Sequence, residues 1–349
     1  MNKQKILITG GTGYIGSHTA VEFIEAGYEV VIIDNLSNSH IEVMDGIEKI
    51  VGSRPKFQQV EMTDQEALRN FFSEEKDIRG VVHFAASKAV GESVEKPTEY
   101  YRNNLVSLLN LLDCTKEHGT EAVVFSSSCT VYGQPDTLPV TENTPIKPAD
   151  SPYGNTKRVC EEILRDTINS GANLKVSALR YFNPVGAHPS AEIGEIPKGV
   201  PNNLVPFITQ TAAGLRDKLM VFGNDYDTRD GTCIRDFIHV VDLARAHVAA
   251  YRKLLETDGD KVFQVYNLGT GNGNTVMELI NAFEEATGVK VPYEFAPRRI
   301  GDIEKIYADS SVANEALGWK AELGTKEMMA SAWKWETKYR GLDAQGAEV

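Results

Sequence analysis

Tyr153 and Lys157 stand four residues apart in Tyr153-Gly154-Asn155-Thr156-Lys157, and on a helix that spacing puts both side chains on one face. An ammonium so placed stabilises a developing phenolate and lowers a tyrosine pKa that is ordinarily about 10. The pair is then a base for an alcohol proton. Ser126-Ser127-Ser128 offers a hydroxyl that can meet the same oxygen. A Tyr-x-x-x-Lys spacing alone arises about once by chance in a chain of this composition, so its weight depends on a second motif. Gly10-Gly11-Thr12-Gly13-Tyr14-Ile15-Gly16 is that motif. Gly10 or Gly11 can take the positive φ of a tight turn, Gly13 lets a pyrophosphate approach bare backbone, and Gly16 lets a helix pack close. The helix N-terminus then faces the phosphates. Asp34 lies where a carboxylate accepts from the adenosine ribose hydroxyls and repels a 2′-phosphate, which favours NAD over NADP.

These groups need a scaffold that gathers loop ends along one edge. Lys5–Thr9, Glu29–Ile33, Phe57–Val60, Gly80–Phe84, Ala122–Ser126 and Lys175–Leu179 read as strands, several apolar without alternation. Tyr14–Ala26, Gln65–Ser73, Tyr100–Glu117 and Tyr153–Asn169 read as helices between them. Ser151 and Pro152 form a cap and first turn for the last of these. The pattern predicts an α/β fold, a Rossmann-type doubly wound parallel sheet, with Ser128 at the carboxyl edge where such sheets bind ligands. After Arg180 the chain turns rich in Pro, Gly and Asn. We therefore expect a dinucleotide-binding domain over 1–180 and a smaller α/β substrate-binding domain over 181–349, some of whose segments can return to the first. Helices are predicted at Leu204–Ala213, Val241–Leu255, Val276–Thr287 and Lys326–Lys338, and strands at Leu219–Phe222 and Gln264–Leu268.

The 349 residues carry a formal charge of −13 and no basic block, which argues against a nucleic-acid partner. No apolar run reaches the roughly 18 residues of a membrane span, and residues 1–10 lack the apolar core of a signal peptide. A cytoplasmic protein is expected. Cys114, Cys129, Cys160 and Cys233 lack zinc spacing, so free thiols and no metal are expected.

Further segments carry a likeness that composition does not. They include Gly13 to His18, Lys88 to Ser93, Ser126 to Tyr132, Arg180 to Pro189, Pro201 to Leu204 and Phe222 to Tyr226. Through these the chain resembles the extended short-chain dehydrogenase/reductase family, and within it the enzymes that invert C4 of UDP-hexoses, over nearly its whole length. The resemblance implies bound NAD and a catalytic set of Ser128, Tyr153 and Lys157. It implies that Tyr14, Ile15, Asn35, Asn38, Ser39, Phe84, Ala85, Lys88, Asn103 and Phe182 meet the cofactor along with Gly10, Gly13, Gly16 and Asp34. For the UDP-hexose it points to Asn183, Asn203, Leu204, Phe222, Arg235, Arg299, Asp302 and Ile306. It also implies a homodimer packed through the helices at 100–117 and 153–169.

Two guanidiniums, Arg235 and Arg299, suit a diphosphate; the plainer alternative pairs them with the adjoining Asp236 or Asp302. Three departures stand out. Met62 occupies a place where relatives often hold a carboxylate for the adenine amino group. Cys129 puts a thiol beside the chemistry and predicts sensitivity to oxidation or alkylation. Ile306, at the pocket position, is intermediate in size, so UDP-galactose and UDP-glucose are the expected substrates and N-acetylated sugars stay open. Two rival readings remain: a nucleotide-sugar oxidoreductase or dehydratase, and a non-catalytic NAD sensor. Dehydrating relatives carry an Asp-Glu pair where this chain has Cys129-Thr130.

Overall fold

The computed structural model describes residues 3–299 and 302–347. Strands β1 (Lys5–Thr9), β2 (Glu29–Asp34), β3 (Lys56–Gln59), β4 (Ile78–His83), β5 (Ala122–Ser128) and β6 (Leu174–Tyr181) are interleaved with helices α1 (Tyr14–Glu25), α2 (Val43–Val51), α3 (Gln65–Glu74), α4 (Val90–Glu95), α5 (Pro97–His118) and α6 (Pro152–Asn169). Beyond them come β7 (Asn183–Val185), α7 (Leu204–Ala212), β8 (Leu219–Phe222), β9 (Ile234–His239), α8 (Val240–Glu256) and β10 (Lys261–Leu268). The chain closes with β11 (Gly273–Thr275), α9 (Val276–Thr287), β12 (Tyr293–Ala296), β13 (Lys305–Ile306), α10 (Ser311–Leu317) and α11 (Thr325–Arg340).

Seven parallel strands form the main sheet in the order β10-β6-β5-β4-β1-β2-β3. Side chains alternate along each strand. Ile6 and Ile8 of β1 therefore enter one core with Phe23, Leu243 and Tyr251, while Leu7 enters the other with Phe71, Leu111 and Leu164. Helices on both faces explain why these strands read as unbroken apolar runs. Truncating the wholly buried Leu7 to alanine would cost about 2–5 kcal/mol. Strand order reverses between β1 and β4, whose ends pair Thr9 with His83. The loops leaving them part at that point and open a crevice.

Two segments from the second half belong to this sheet's layers. β10 pairs with β6 from Lys261↔Leu174 to Leu268↔Tyr181, and α8 packs against α1. The apolar pattern revealed that these elements exist, but strand pairing is non-local and left no trace in it. Helices α2, α4 and α10 and strands β7, β9, β11, β12 and β13 were also not foreseen. Gly46 interrupts α2 in a sequence that otherwise repeats with helical period; a Cβ there would collide with the Glu192 carbonyl, so the glycine serves a crossing segment rather than a turn.

The smaller lobe is built on β9, flanked by antiparallel β11 and parallel β13, with β7 also paired to it. Its core joins Ile208, Phe237, Leu279, Phe283, Met329 and Trp333. A fourth cluster, comprising Cys129, Val131, Tyr132, Val140, Phe182, Ile306 and Ala308, joins the two lobes beneath the end of β5.

Candidate active site

Gly10 takes φ +68°, and a Cβ on it would lie 2.8 Å from the Ala85 nitrogen across the crevice. On Gly16 a Cβ would strike the Gly10 carbonyl. Gly13 is the N-cap of α1 and no side chain caps that end, so its first N–H groups face outward. Bare backbone and an open helix N-terminus fit a dinucleotide pyrophosphate. Among the other residues assigned to the cofactor, Asp34 accepts from the Leu36 N–H at 2.9 Å, the Ser39 hydroxyl at 3.0 Å and the Thr12 N–H at 3.3 Å. That buried carboxylate organises the loop carrying Asn35, exposed Asn38 and Ser39.

Met62 is buried in the second core, and its carbonyl accepts from Asn110. Glu61, the residue before Met62, takes the Asn35 amide at 2.7 Å and the Thr63 N–H at 2.9 Å. Burial alone would raise its pKa, but these donors hold it below the ordinary range. The contact between Glu61 after β3 and Asn35 after β2 is non-local and has no signal in the sequence around Met62.

On the other side of the crevice, Phe84 packs on the His247 ring and the Ala85 N–H donates to the Thr9 hydroxyl at 3.3 Å. Ile15 packs on the first core and Phe182 is buried in the cluster under β5. Asn103 donates to Ser87 at 3.1 Å. Tyr14 donates to the Gly186 carbonyl at 2.6 Å.

Ser151 accepts from the Gly154 N–H at 3.2 Å and Pro152 occupies the first turn of α6, as expected. Gly154 lets α6 approach the turn over Cys129–Tyr132, since a Cβ there would sit 3.2 Å from the Thr130 carbonyl. This close approach sets Tyr153 beside Ser128, which ends β5 and accepts from the Thr130 N–H at 3.2 Å and hydroxyl at 2.9 Å. The buried Lys157 ammonium donates to the Ser126 carbonyl at 2.7 Å and lies 5.9 Å from the centre of the Tyr153 ring. Burial lowers the lysine pKa to about 8.

Burial also dominates at Tyr153, pushing its pKa up to about 12 against the opposing pull of the Ser128 hydroxyl. Burial is thus the largest influence on the tyrosine in the protein alone, and a positive charge brought near the ring would act against it. Cys129 departs from expectation. Burial pushes its thiol up to about 12, whereas a reactive cysteine needs a lowered pKa and access. All four cysteines are buried free thiols.

Below this group runs an ion pair the sequence did not disclose. Arg180 on β6 and Glu161 on α6 are each 3% exposed and meet through Nη2 and Oε2 at 2.5 Å. Glu161 also accepts from Ser127, while Arg180 donates to the Tyr132 hydroxyl at 3.0 Å. Tyr132 in turn donates to Asn267 of β10 at 2.7 Å. The network binds α6 to three neighbouring strands and fixes Tyr153 relative to Ser128.

In the small lobe, the register of β9 and β13 sets Arg235 opposite Ile306. Asp302 gathers both arginines, with Arg299 bonded at 2.9 and 3.1 Å and Arg235 at 3.8 Å. Asp236 instead accepts from the Thr270, Gly271 and Ala308 backbone. Arg299 stacks 4.9 Å from the Phe222 ring centre. Ile306 is 3% exposed and packs with Cys129 and Phe182, which brings it under the Ser128 turn. Asn183 lies partly buried on β7, while Asn203 stands just before α7 without capping it through its side chain and Leu204 starts that helix. Asn203 donates at 2.7 Å to Glu195, a residue the sequence reading passed over.

A glycine turn at the switch point, with a hydroxyl, a phenol and an ammonium at the same sheet edge, defines a Rossmann-type enzyme of the extended short-chain dehydrogenase/reductase class. Residues 7–332 match the family model described as GDP-mannose 4,6 dehydratase. A UDP-glucose 4-epimerase of Bacillus subtilis (strain 168) is 50% identical over 332 residues, spanning 95% of this chain and 96% of its own. The solved UDP-glucose 4-epimerase of Bifidobacterium longum, in complex with NAD+ and UDP, superposes with TM-score 0.91 at 47% identity, covering 96% of this chain and 99% of that one. The Stenotrophomonas maltophila enzyme, with bound NAD and formylated UDP-arabinopyranose, gives 0.93 at 46%, covering 97% and 99%. The chain belongs to the UDP-glucose 4-epimerase family.

Proposed function

We propose that this protein is an isomerase that interconverts UDP-galactose and UDP-glucose at C4 with tightly held NAD. The observation that carries this reading is the meeting of Ser128, Tyr153 and Lys157 at the carboxyl edge, beside the Gly10 turn. NAD, when bound, supplies a positive ring that accepts the C4 hydride and later gives it back. Tyr153, as phenolate, would take the proton of the sugar 4-hydroxyl as the C4 hydride departs to the nicotinamide, so that C4 becomes the carbonyl of a 4-keto sugar. Ser128 hydrogen-bonds the 4-oxygen throughout. Once the keto group has turned its other face, Tyr153 returns the proton as hydride returns to C4, and the configuration is inverted with no net oxidation. Lys157 keeps a positive charge near the phenolate and holds the nicotinamide ribose, so the base stays ionised within reach of the alcohol.

The turn through Gly10 and Gly13 cradles the pyrophosphate, Gly16 lets α1 pack close enough to present its N-terminus to it, and Asp34 takes the adenosine ribose. Tyr14, Ile15, Asn35, Asn38, Ser39, Phe84, Ala85, Lys88, Asn103 and Phe182 complete the cofactor's surroundings. Arg235 and Arg299 turn from Asp302 to the UDP diphosphate, while Asn183, Asn203, Leu204, Phe222 and Ile306 line the rest of the substrate cleft. Dehydration is disfavoured because the turn after Ser128 carries Cys129-Thr130-Val131-Tyr132 and no carboxylate. Among the described residues no helix is long and apolar enough to cross a membrane. The reading includes a cytoplasmic location and a homodimer through α5 and α6, where Leu109 presents an exposed apolar side chain.

The test is to incubate purified protein with UDP-galactose, without added cofactor, and separate the products by chromatography. UDP-glucose is the expected product. A folded protein that gives none even after NAD is supplied overturns the assignment.

A further inference from the structure

The segment joining β7 to α7 leaves the small lobe and crosses the cofactor side of the large one. Tyr14 holds its start through the Gly186 carbonyl. Lys334 and Trp335 of α11 donate to the Pro189 and Glu195 carbonyls at 2.6 and 3.1 Å. The Glu192 carbonyl occupies the space that Gly46 leaves open on α2. Lys198 then donates to the Leu36 and Ser37 carbonyls at 2.9 and 3.1 Å, on the loop that Asp34 organises.

At the middle of this strap the Glu195 carboxylate turns inward, with its side chain 15% exposed. Its Oε1 accepts from Asn203 Nδ2 at 2.7 Å and lies 3.8 Å from the Lys88 ammonium. Its two partners come from different places. Lys88 follows β4 in the large lobe, and Asn203 opens α7 in the small one. A largely buried carboxylate without partners would be costly, so the three groups constrain one another.

We propose that Glu195 is a positioning residue that ties the substrate side of the cleft to its cofactor side, so that UDP and NAD each tighten the other's binding. This rests on the reading above, in which Asn203 faces the nucleotide sugar and Lys88 the cofactor. With Glu195 fixing the Asn203 amide nitrogen, the amide oxygen is held in one direction for the ligand. A ligand that settles Asn203 also settles the carboxylate, and through it Lys88. Coupling of this kind is reciprocal.

Calorimetric titration with UDP, on protein stripped of NAD and on protein saturated with it, reads this coupling directly. NAD is expected to raise the UDP affinity of the unaltered protein about five- to tenfold. Glu195→Ala brings the ratio close to one. Glu195→Gln keeps an acceptor for Asn203 but loses the charge facing Lys88, so it retains only part of the coupling; being isosteric, it carries the test if the alanine variant does not fold. Lys88→Met combined with Glu195→Ala lowers the coupling no further than either change alone. A ratio unchanged in a folded Glu195→Ala or Glu195→Gln protein, or no coupling in the unaltered protein, overturns the proposal. Unaltered protein that binds neither UDP nor NAD overturns the functional reading instead.

Discussion

Lys157 is anchored to the backbone of the strand that carries Ser128: its ammonium donates to the Ser126 carbonyl at 2.7 Å while facing the Tyr153 ring. Burial dominates its environment, and the nearby Cys160 and Glu161 compensate only in part. The folded protein therefore releases this proton at about 8, while the unfolded chain keeps it up to 10.5. Between those values the unfolded state binds a proton that the folded state lacks, so this group's contribution to stability rises with pH. The full span corresponds to about 3 kcal/mol. Denaturant midpoints measured from pH 7 to 10 should show the unaltered protein gaining on Lys157→Met, and parallel curves would refute the assignment.

Tyr153 presents the complementary problem, because burial raises the group that must lose a proton. A cation brought close to the ring lowers its pKa. Ultraviolet difference titration of the NAD-loaded protein, with Tyr153→Phe as reference, should therefore reveal a phenol ionising well below the pH it needs in stripped protein. Identical titrations would remove the cofactor from the account of its activation.

Removing the phenol itself should lower kcat by about 100- to 10,000-fold, the usual contribution of a positioned acid–base group. Tyr153→Phe is expected to fold and to hold NAD as before, with thermal melting unchanged. Ser128→Ala should lower kcat less, because it removes one hydrogen bond to the reacting oxygen and leaves the base. Retention of full activity by Tyr153→Phe would revive the non-catalytic reading.

The buried pair beneath them is expected to act on stability. Glu161→Gln leaves the Arg180 guanidinium, 3% exposed, without its counter-charge, at a cost of about 3–5 kcal/mol. Urea denaturation of Glu161→Gln and of an Arg180→Met/Glu161→Gln double variant separates the terms. The double variant should recover much of the loss, since no lone charge remains buried.

Local signals were legible in the sequence, and long-range pairings were not. Gly10-to-Gly16, Asp34 and the Ser151-Pro152 start of α6 each declare a turn, a strand end or a cap through their own backbone chemistry. The Tyr153–Lys157 pair follows from helical spacing alone. Nothing local announces that β10 lies beside β6, or that Arg180 meets Glu161 across a helix and a strand. Glu195 was invisible for a related reason: it sits in a Gly- and Pro-rich segment without periodicity, and its importance comes from two partners more than 100 residues apart.

Cys129 shows the opposite case, in which position suggested reactivity and burial removes it. With its thiol pushed up to about 12, thiolate is scarce at neutral pH, and alkylation requires thiolate. Iodoacetamide should leave the activity of native protein intact over hours, and Cys129→Ala should behave the same way. Rapid inactivation that the alanine variant escapes would restore the original expectation.

Ile306 is the residue at which the proposed function puts sugar selection. It packs with Cys129 and Phe182 beneath Ser128, and its backbone is fixed by pairing with Arg235, so the side chain cannot swing away on a flexible loop. Shortening it to alanine removes methyl and methylene groups from a wall of the cleft without moving the wall itself. The expected result is a rise in kcat/KM for UDP-N-acetylglucosamine relative to UDP-glucose of about tenfold, the order set by one or two such groups in an apolar pocket. Stability should fall by about 2–5 kcal/mol because a buried side chain is lost, so the comparison is made well below the melting temperature. Ile306→Tyr tests the other direction, with the N-acetylated substrate rejected and UDP-glucose retained. If neither variant changes the ratio of the two kcat/KM values, the acetamido group is accommodated elsewhere in the cleft.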